Sequence, residues 1–224
     1  MKLTNRNFDP SELSASGEGF FDVPLREEML NRDDDVTYGL RFNFGSLDNE
    51  FAKKLNELLG ACAAENVTMV PYTGVRDPWE QARLWRRSRT TQQVADAIQW
   101  LKNNMAPFLA KVVEDVGPQP TGPNVTNALP GFSWHQWGEA ADCYWSVNGQ
   151  PEWEDLTGYK AYARLAEGMG LTAGGHWTSF KDWPHVQKRS DDGPGSVYSA
   201  KEIDEIMKKR FETKKTFLLT SEVR

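Results

Sequence analysis

Residues 133–142 read SWHQWGEAAD, and the chain continues as CYWSV over 143–147. This composition predicts a strand over about 139–147, entered by a turn at Gly138 and closed by the pair Asn148-Gly149. Alternation along a strand puts Ala140 and Asp142 on the same face. A carboxylate among small apolar residues is costly to bury without a cation. The stretch therefore predicts a strand that carries a buried carboxylate in need of a partner.

The chain has only three histidines. They are His135, His176 and His185, and they fall within about fifty residues of one another. His135 stands seven residues before Asp142. A catalytic zinc ion takes three protein ligands, commonly imidazole nitrogen and carboxylate oxygen, and keeps one open position. By spacing alone, the pair fits either a metal site or a hydrogen-bonded His–Asp pair in a core.

A second stretch, GGHWTSFKDWPHVQ over 174–187, places Asp182 three residues before His185. Pro184 excludes a regular helix here, so the pair is expected on an extended or turn segment. A carboxylate beside a ligand histidine can act as a general base. Alternatively, it is a surface aspartate beside a structural histidine, because so short a motif specifies little.

Hydrophobic periodicity places helices and strands around these stretches. It predicts a helix over about 47–64, a strand over 67–72 in which Pro71 marks an edge or a bulge, and a helix from Pro78 to Arg89. A longer helix over about 92–116 is expected to be kinked or divided at Pro107, and 117–131 is a loop. Helices over about 156–169 and 199–212 flank a strand-like piece that ends near Lys188.

This mixture predicts an α+β fold with a small, mainly antiparallel sheet and flanking helices. We expect an N-terminal extension over 1–45, a main domain over 46–195 and a C-terminal helix and tail over 196–224. Cys62 and Cys143 are expected to be buried free thiols rather than a disulfide.

Composition restricts the partners of the chain. A net charge of −6 argues against nucleic-acid binding, because no basic excess is available to neutralise phosphates. No run approaches the roughly 18 apolar residues of a membrane span. The N-terminal MKLTNRNFDPSELS lacks the apolar stretch of a signal peptide, so we expect synthesis in the cytoplasm and release by another agent.

Together, the motifs resemble a known family. Ser-x-His-x-x-Gly-x-Ala-x-Asp, followed by Gly-Gly-x-Trp-x-x-x-x-Asp-x-Pro-His-x-Gln, is similar to the pattern of the M15 zinc peptidases. Upstream, YTGVRDPWEQ over 72–81 is similar to their Gly-x-Arg-x-x-x-x-Gln segment. The resemblance spans about 48–190 and is closest to the L-alanyl-D-glutamate endopeptidase branch, which includes many phage lysins.

The resemblance implies a hedgehog/DD-peptidase-like fold and a Zn²⁺ cofactor held by His135, Asp142 and His185. It implies Asp182 as the catalytic base and Arg76 as the group that binds substrate and stabilises the oxyanion. For Arg76 the alternative is a structural salt bridge with Asp77 or Glu80. Ser133 and Gln81 are candidates for substrate hydrogen bonds or for support of the groups around the metal, and Trp177 is a candidate substrate contact. His176 occupies the variable position of Gly-Gly-x-Trp, so a structural or rim role is expected.

The function so implied is zinc-dependent hydrolysis of the peptidoglycan stem peptide, at the L-alanyl-D-glutamate bond. The alternative enzyme is a D-alanyl-D-alanine carboxypeptidase. A non-catalytic zinc-containing wall-binding or virion protein is the alternative of another class. Asp182 argues against it, because a structural zinc closes its fourth position with a ligand. We expect a monomeric endolysin that reaches the cell wall during phage or prophage lysis.

Overall fold

The computed structural model describes residues 42–221 except 88, 121, 123, 179 and 191, with side chains as far as 212. Of the predicted N-terminal extension, residues 1–41 therefore lie outside the described residues. The described chain divides into two compact units. The sheet unit contains residues 42–76 and 134–190, and the helical unit contains 77–133 and 192–221. The domain boundaries expected at 45 and 195 stay predictions.

The described elements are six α-helices and five strands. In chain order they are α1 (Asn49–Ala64), β1 (Thr68–Thr73), α2 (Pro78–Arg86), α3 (Thr91–Asn103), α4 (Pro107–Asp115), β2 (Ala140–Val147), β3 (Gln150–Glu152), α5 (Thr157–Gly168), β4 (Thr172–Ala173), β5 (His185–Gln187) and α6 (Ala200–Ser221). The α+β class with a small antiparallel sheet is confirmed.

The sheet is antiparallel throughout and follows the order β1-β2-β5-β4, with β3 paired to β2. Strand β2 is its longest member and lies at its centre. Its neighbour β1 is an edge strand with a register shift between Pro71 and Thr73. The edge and the bulge expected from Pro71 are both present, because a prolyl nitrogen cannot donate to a ladder.

The core of the sheet unit lies between one face of the sheet and helices α1 and α5. Phe51, Leu55, Leu58 and Cys62 repeat at helical spacing along α1 and have no exposed surface. They pack with Cys143 of β2, on the face opposite Asp142, and with Val186 of β5 and Tyr162 of α5. Cys62 and Cys143 are buried free thiols, as predicted. This packing leaves the other face of β2 available for polar side chains.

In the helical unit, the predicted long helix is divided as Pro107 suggested. Helix α3 ends at Asn103, Met105 has a φ of 58°, and Pro107 opens α4 at its first position. Thr90 and Gln93 form the expected capping box of α3. Ser199 and Glu202 do the same for α6 through reciprocal hydrogen bonds. Helix α6 runs to Ser221, beyond the predicted end near 212.

Candidate metal centre

Three side chains from the two stretches converge on one face of the sheet. Asp142 lies on β2, and the register of β2 with β5 sets His185 directly opposite it. His135 comes from a 3₁₀ turn over Trp134–Trp137. Gly138 follows this turn with a φ of 76°, a backbone conformation that favours glycine, and thereby leads the chain into β2.

The spacing of the three side chains matches a zinc site. Asp142 Oδ1 lies 3.3 Å from His135 Nε2 and 3.0 Å from His185 Nδ1. One ligand atom from each residue lies within 4.8 Å of the others. Ligands of a tetrahedral zinc with bonds near 2.05 Å stand about 3.3 Å apart. Two imidazoles and one carboxylate are also a donor set that a catalytic zinc takes, so the residues fit the metal.

Each histidine ring is oriented by its other nitrogen. His135 Nδ1 lies 2.8 Å from the Gly74 carbonyl oxygen, to which it can only donate. His185 Nε2 lies 3.1 Å from Gln187 Oε1. The Gln187 amide group donates in turn to the Arg189 carbonyl at 2.9 Å, which sets Oε1 toward the ring. These contacts leave His135 Nε2 and His185 Nδ1, the two nitrogens that face Asp142, as the atoms that would bind the metal.

The charges of the cluster suit a cation. Burial opposes ionisation of Asp142, but His135 and His185 attract and hydrogen-bond its carboxylate and hold its pKa well below the usual value. Burial lowers the pKa of His135, and the opposing attraction of Asp142 offsets this only in part. Burial also disfavours the charged form of His185, yet the hydrogen bond that its Nδ1 donates to the Asp142 carboxylate leaves its pKa raised. The cluster therefore offers a buried carboxylate and a neutral imidazole.

Asp182 lies beside this cluster in the turn before β5. Its backbone nitrogen donates to the Gly174 carbonyl at 3.0 Å, and its own carbonyl accepts from His185 N at 3.1 Å. Burial raises its pKa to about 6, with repulsion from Asp142 adding to the effect and His185 and Arg76 opposing it. A carboxyl group with such a pKa can take and return a proton near neutral pH.

The Gly-Gly pair is explained by close packing against this turn. A Cβ on Gly174 would stand 2.5 Å from the Asp182 carbonyl oxygen, and one on Gly175 would stand 2.3 Å from the Trp183 ring. Both distances are shorter than real Cβ atoms show. The two glycines thus allow the chain to approach Asp182.

Arg76 and Trp177 border the cluster. Arg76 is buried, and its Nη2 lies 3.9 Å from Asp142 Oδ2. Asp77, one of the two nearby residues expected as a salt-bridge partner of Arg76, caps α2 by accepting from Glu80 N. The Trp177 ring contacts the His185 ring, with centroids 5.1 Å apart. His176 is exposed and pairs with Glu167 at 2.7 Å, outside the metal cluster.

Gln81 and Ser133 belong to the helical unit. Gln81 is fully buried, and its amide nitrogen donates to Thr126 Oγ1 at 3.1 Å and the Ala128 carbonyl at 2.8 Å. These contacts fix the loop before residue 129. Ser133 is partly exposed and precedes the 3₁₀ turn that carries His135. Their substrate roles stay predictions.

Sequence reasoning missed two polar contacts of the centre. Gln187 was visible in the His-x-Gln motif, and its position two residues from His185 on a strand puts both side chains on one face. The Gly74 carbonyl left no signal, since a backbone contact across 61 residues has no side-chain signature.

The family model described as VanY, D-alanyl-D-alanine carboxypeptidase, matches residues 45–182. The chain belongs to this family. The match includes Arg76, His135, Asp142 and Asp182 and ends before His185, whose place in the centre follows from the geometry. Family membership and the His–Asp–His cluster make the chain a zinc metallopeptidase that acts on peptidoglycan. The predicted class, cofactor and family are thereby confirmed.

Among solved structures, a Zn(II) complex of the vancomycin-resistance D,D-pentapeptidase VanY is similar to this chain. The two chains share 17% sequence identity at a TM-score of 0.40. The matched region covers 63% of this chain and 71% of the VanY chain. Within the described residues, no helix is long and apolar enough to cross a membrane.

Proposed function

We propose that this VanY-family peptidase hydrolyses the L-alanyl-D-glutamate bond of the peptidoglycan stem peptide. The observation that carries the proposal is the Gly-Gly-x-Trp segment packed against the Asp-x-Pro-His turn. There Gly174 lies against Asp182, and the Trp177 ring contacts the His185 ring. This arrangement is the feature by which the chain resembles the endopeptidase branch.

In the proposed mechanism His135, Asp142 and His185 hold the zinc ion. Zinc bound there supplies Lewis acidity, because it polarises a carbonyl and lowers the pKa of water. The Asp182 carboxylate accepts the proton of the attacking water and delivers it to the nitrogen of the leaving amine. The Arg76 guanidinium favours negative charge on the scissile carbonyl oxygen.

D-alanyl-D-alanine carboxypeptidase activity is the second candidate, and the description of the matching family favours it. The two reactions can be separated with one synthetic stem pentapeptide that contains both bonds. Loss of alanine from either end changes the mass equally, so the peptide should carry an N-acetyl group. Cleavage of the first bond then releases N-acetyl-alanine, whereas carboxypeptidase action releases free D-alanine.

Mass spectrometry of this digest tests the proposal, with Asp182→Asn as the matched variant. We expect N-acetyl-alanine and a new peptide that begins with D-glutamate, formed by the zinc-loaded wild type alone. Free D-alanine as the sole product would replace the proposal by the second candidate. If neither bond is cut and the wild type and Asp182→Asn bind cell walls equally well, the protein is a wall-binding protein. Action as an endolysin after release, and a monomeric state, stay predictions.

A further inference from the structure

The bulge in β1 brings one unassigned side chain to the face of the sheet that carries the metal centre. Pro71 pairs with Cys143 and Thr73 pairs with Asp142, so Tyr72 is the extra residue between two consecutive pairs. Such bulges occur beside active sites, where they redirect a side chain. Cys143 faces the core, and Asp142 faces the other way with His185. The ring of Tyr72 contacts that of Tyr144, which shares the face of Asp142.

The ring of Tyr72 is held by two other aromatic rings. Its centroid lies 6.1 Å from that of Tyr144 and 5.9 Å from that of Trp153, and the last two are 6.0 Å apart. Aromatic pairs at these distances stabilise one another beyond the area that they bury. The cluster therefore fixes the direction in which the Tyr72 hydroxyl points.

The Tyr72 hydroxyl is positioned as a hydrogen-bond donor. Burial raises its pKa well above the usual value, and the carboxylates of Asp142 and Asp182 add to the increase. The group therefore stays protonated and cannot serve as a base. Tyr72 is partly exposed, and within the described part of the chain its hydroxyl has no hydrogen-bond partner. A donor near the two carboxylates of the centre is thus left for a ligand.

We propose that Tyr72 is a catalytic residue whose hydroxyl donates a hydrogen bond to the scissile carbonyl oxygen as that oxygen gains negative charge. The proposal rests on the peptidase function given above and holds for either bond. Arg76 lies against Asp142, so its charge is shared between the carboxylate and the substrate. A neutral donor strengthens as charge develops on the oxygen and therefore favours the transition state over the bound substrate.

The Tyr72→Phe variant tests this role because it removes the hydroxyl and keeps the ring. A hydrogen bond to a charged group contributes enough that its loss should lower kcat by roughly 10- to 100-fold, with KM little changed. Zinc content and melting temperature should equal those of the wild type. A phosphinate analogue of the scissile dipeptide should bind more weakly by a similar factor. Tyr162→Phe is the matched control, because Tyr162 packs in the core on the opposite face of β2, and its kcat should stay within about two-fold.

Each outcome decides one question. Wild-type kcat and phosphinate affinity in Tyr72→Phe would overturn the proposal. Loss of zinc in this variant would also overturn it, because Tyr72 would then act by supporting Asp142. If the wild type cuts no stem peptide, the peptidase function fails. In that case a selective loss of phosphinate affinity in Tyr72→Phe would still support a donor at the centre.

Discussion

Replacing Gly174 by alanine puts a methyl group against the backbone that carries Asp182. The added Cβ would lie 2.5 Å from the Asp182 carbonyl oxygen, and 3.1 Å from the Cβ atoms of Asp182 and His185. Real Cβ contacts are essentially never shorter than 3.0 Å. The turn must therefore retreat by at least about 0.5 Å. Because it is backbone that obstructs the methyl group, no rotamer change relieves the contact.

This displacement has a predictable effect on catalysis. A misplacement of about 1 Å in a catalytic group can lower the rate by about 100-fold, so half of that distance should cost about 10-fold. The Asp182 carbonyl also accepts from His185 N, so a ligand moves with the base. We expect kcat/KM of Gly174→Ala on the stem peptide to fall about 10-fold and zinc affinity to weaken.

Steady-state kinetics on the acetylated pentapeptide measure the first effect, and chelator competition measures the second. Gly60→Ala is the control, since nothing lies within 4 Å of its added Cβ on helix α1. It should keep wild-type activity and gain about 1 kcal/mol of stability. Wild-type kinetics in Gly174→Ala would refute the argument that the glycine serves the approach to Asp182.

The remaining predictions concern the metal and its neighbours. Gln187→Leu removes the acceptor of the His185 proton and should weaken zinc binding by roughly 10- to 100-fold in a chelator competition; unchanged affinity would show that the ring needs no such partner. Asp182→Asn should lower kcat by about 10²- to 10⁴-fold while zinc content stays at the wild-type level, and retained turnover would exclude Asp182 as the base. Zinc at 100 times its dissociation constant should stabilise the folded wild type by about 2.7 kcal/mol, measured by thermal unfolding. If zinc does not change the melting temperature of the wild type, the three residues do not form a zinc site.

Much of the fold is predictable because its signals are local. The apolar spacing of α1 and the capping boxes at Thr90 and Ser199 specify helices within a few residues of their ends. Strands β3 and β4 contain three and two residues, too few for alternation to be visible. They form because β2 and β5 offer free edges, which is a tertiary effect.

At the metal centre too, residues in local motifs are predictable from the sequence, whereas contacts between distant residues are not. Asp142 and His185 belong to ordered motifs, so the sequence predicts them together. The partner of Arg76 could not be predicted, because the local candidate Asp77 is engaged as a helix cap and Asp142 lies 66 positions away in the sequence. The place of Tyr72 depends on the register between β1 and β2, and a single-residue bulge changes which side chains face the site.

We expect the cluster of His135, Asp142 and His185 to equip the chain to cut the stem peptide. The decisive measurement is the mass spectrum of the N-acetylated pentapeptide after incubation with the zinc-loaded protein. It should contain N-acetyl-alanine and a peptide that begins with D-glutamate, both absent when Asp142→Ala replaces the wild type. An intact peptide, or equal cleavage by Asp142→Ala, would contradict this expectation.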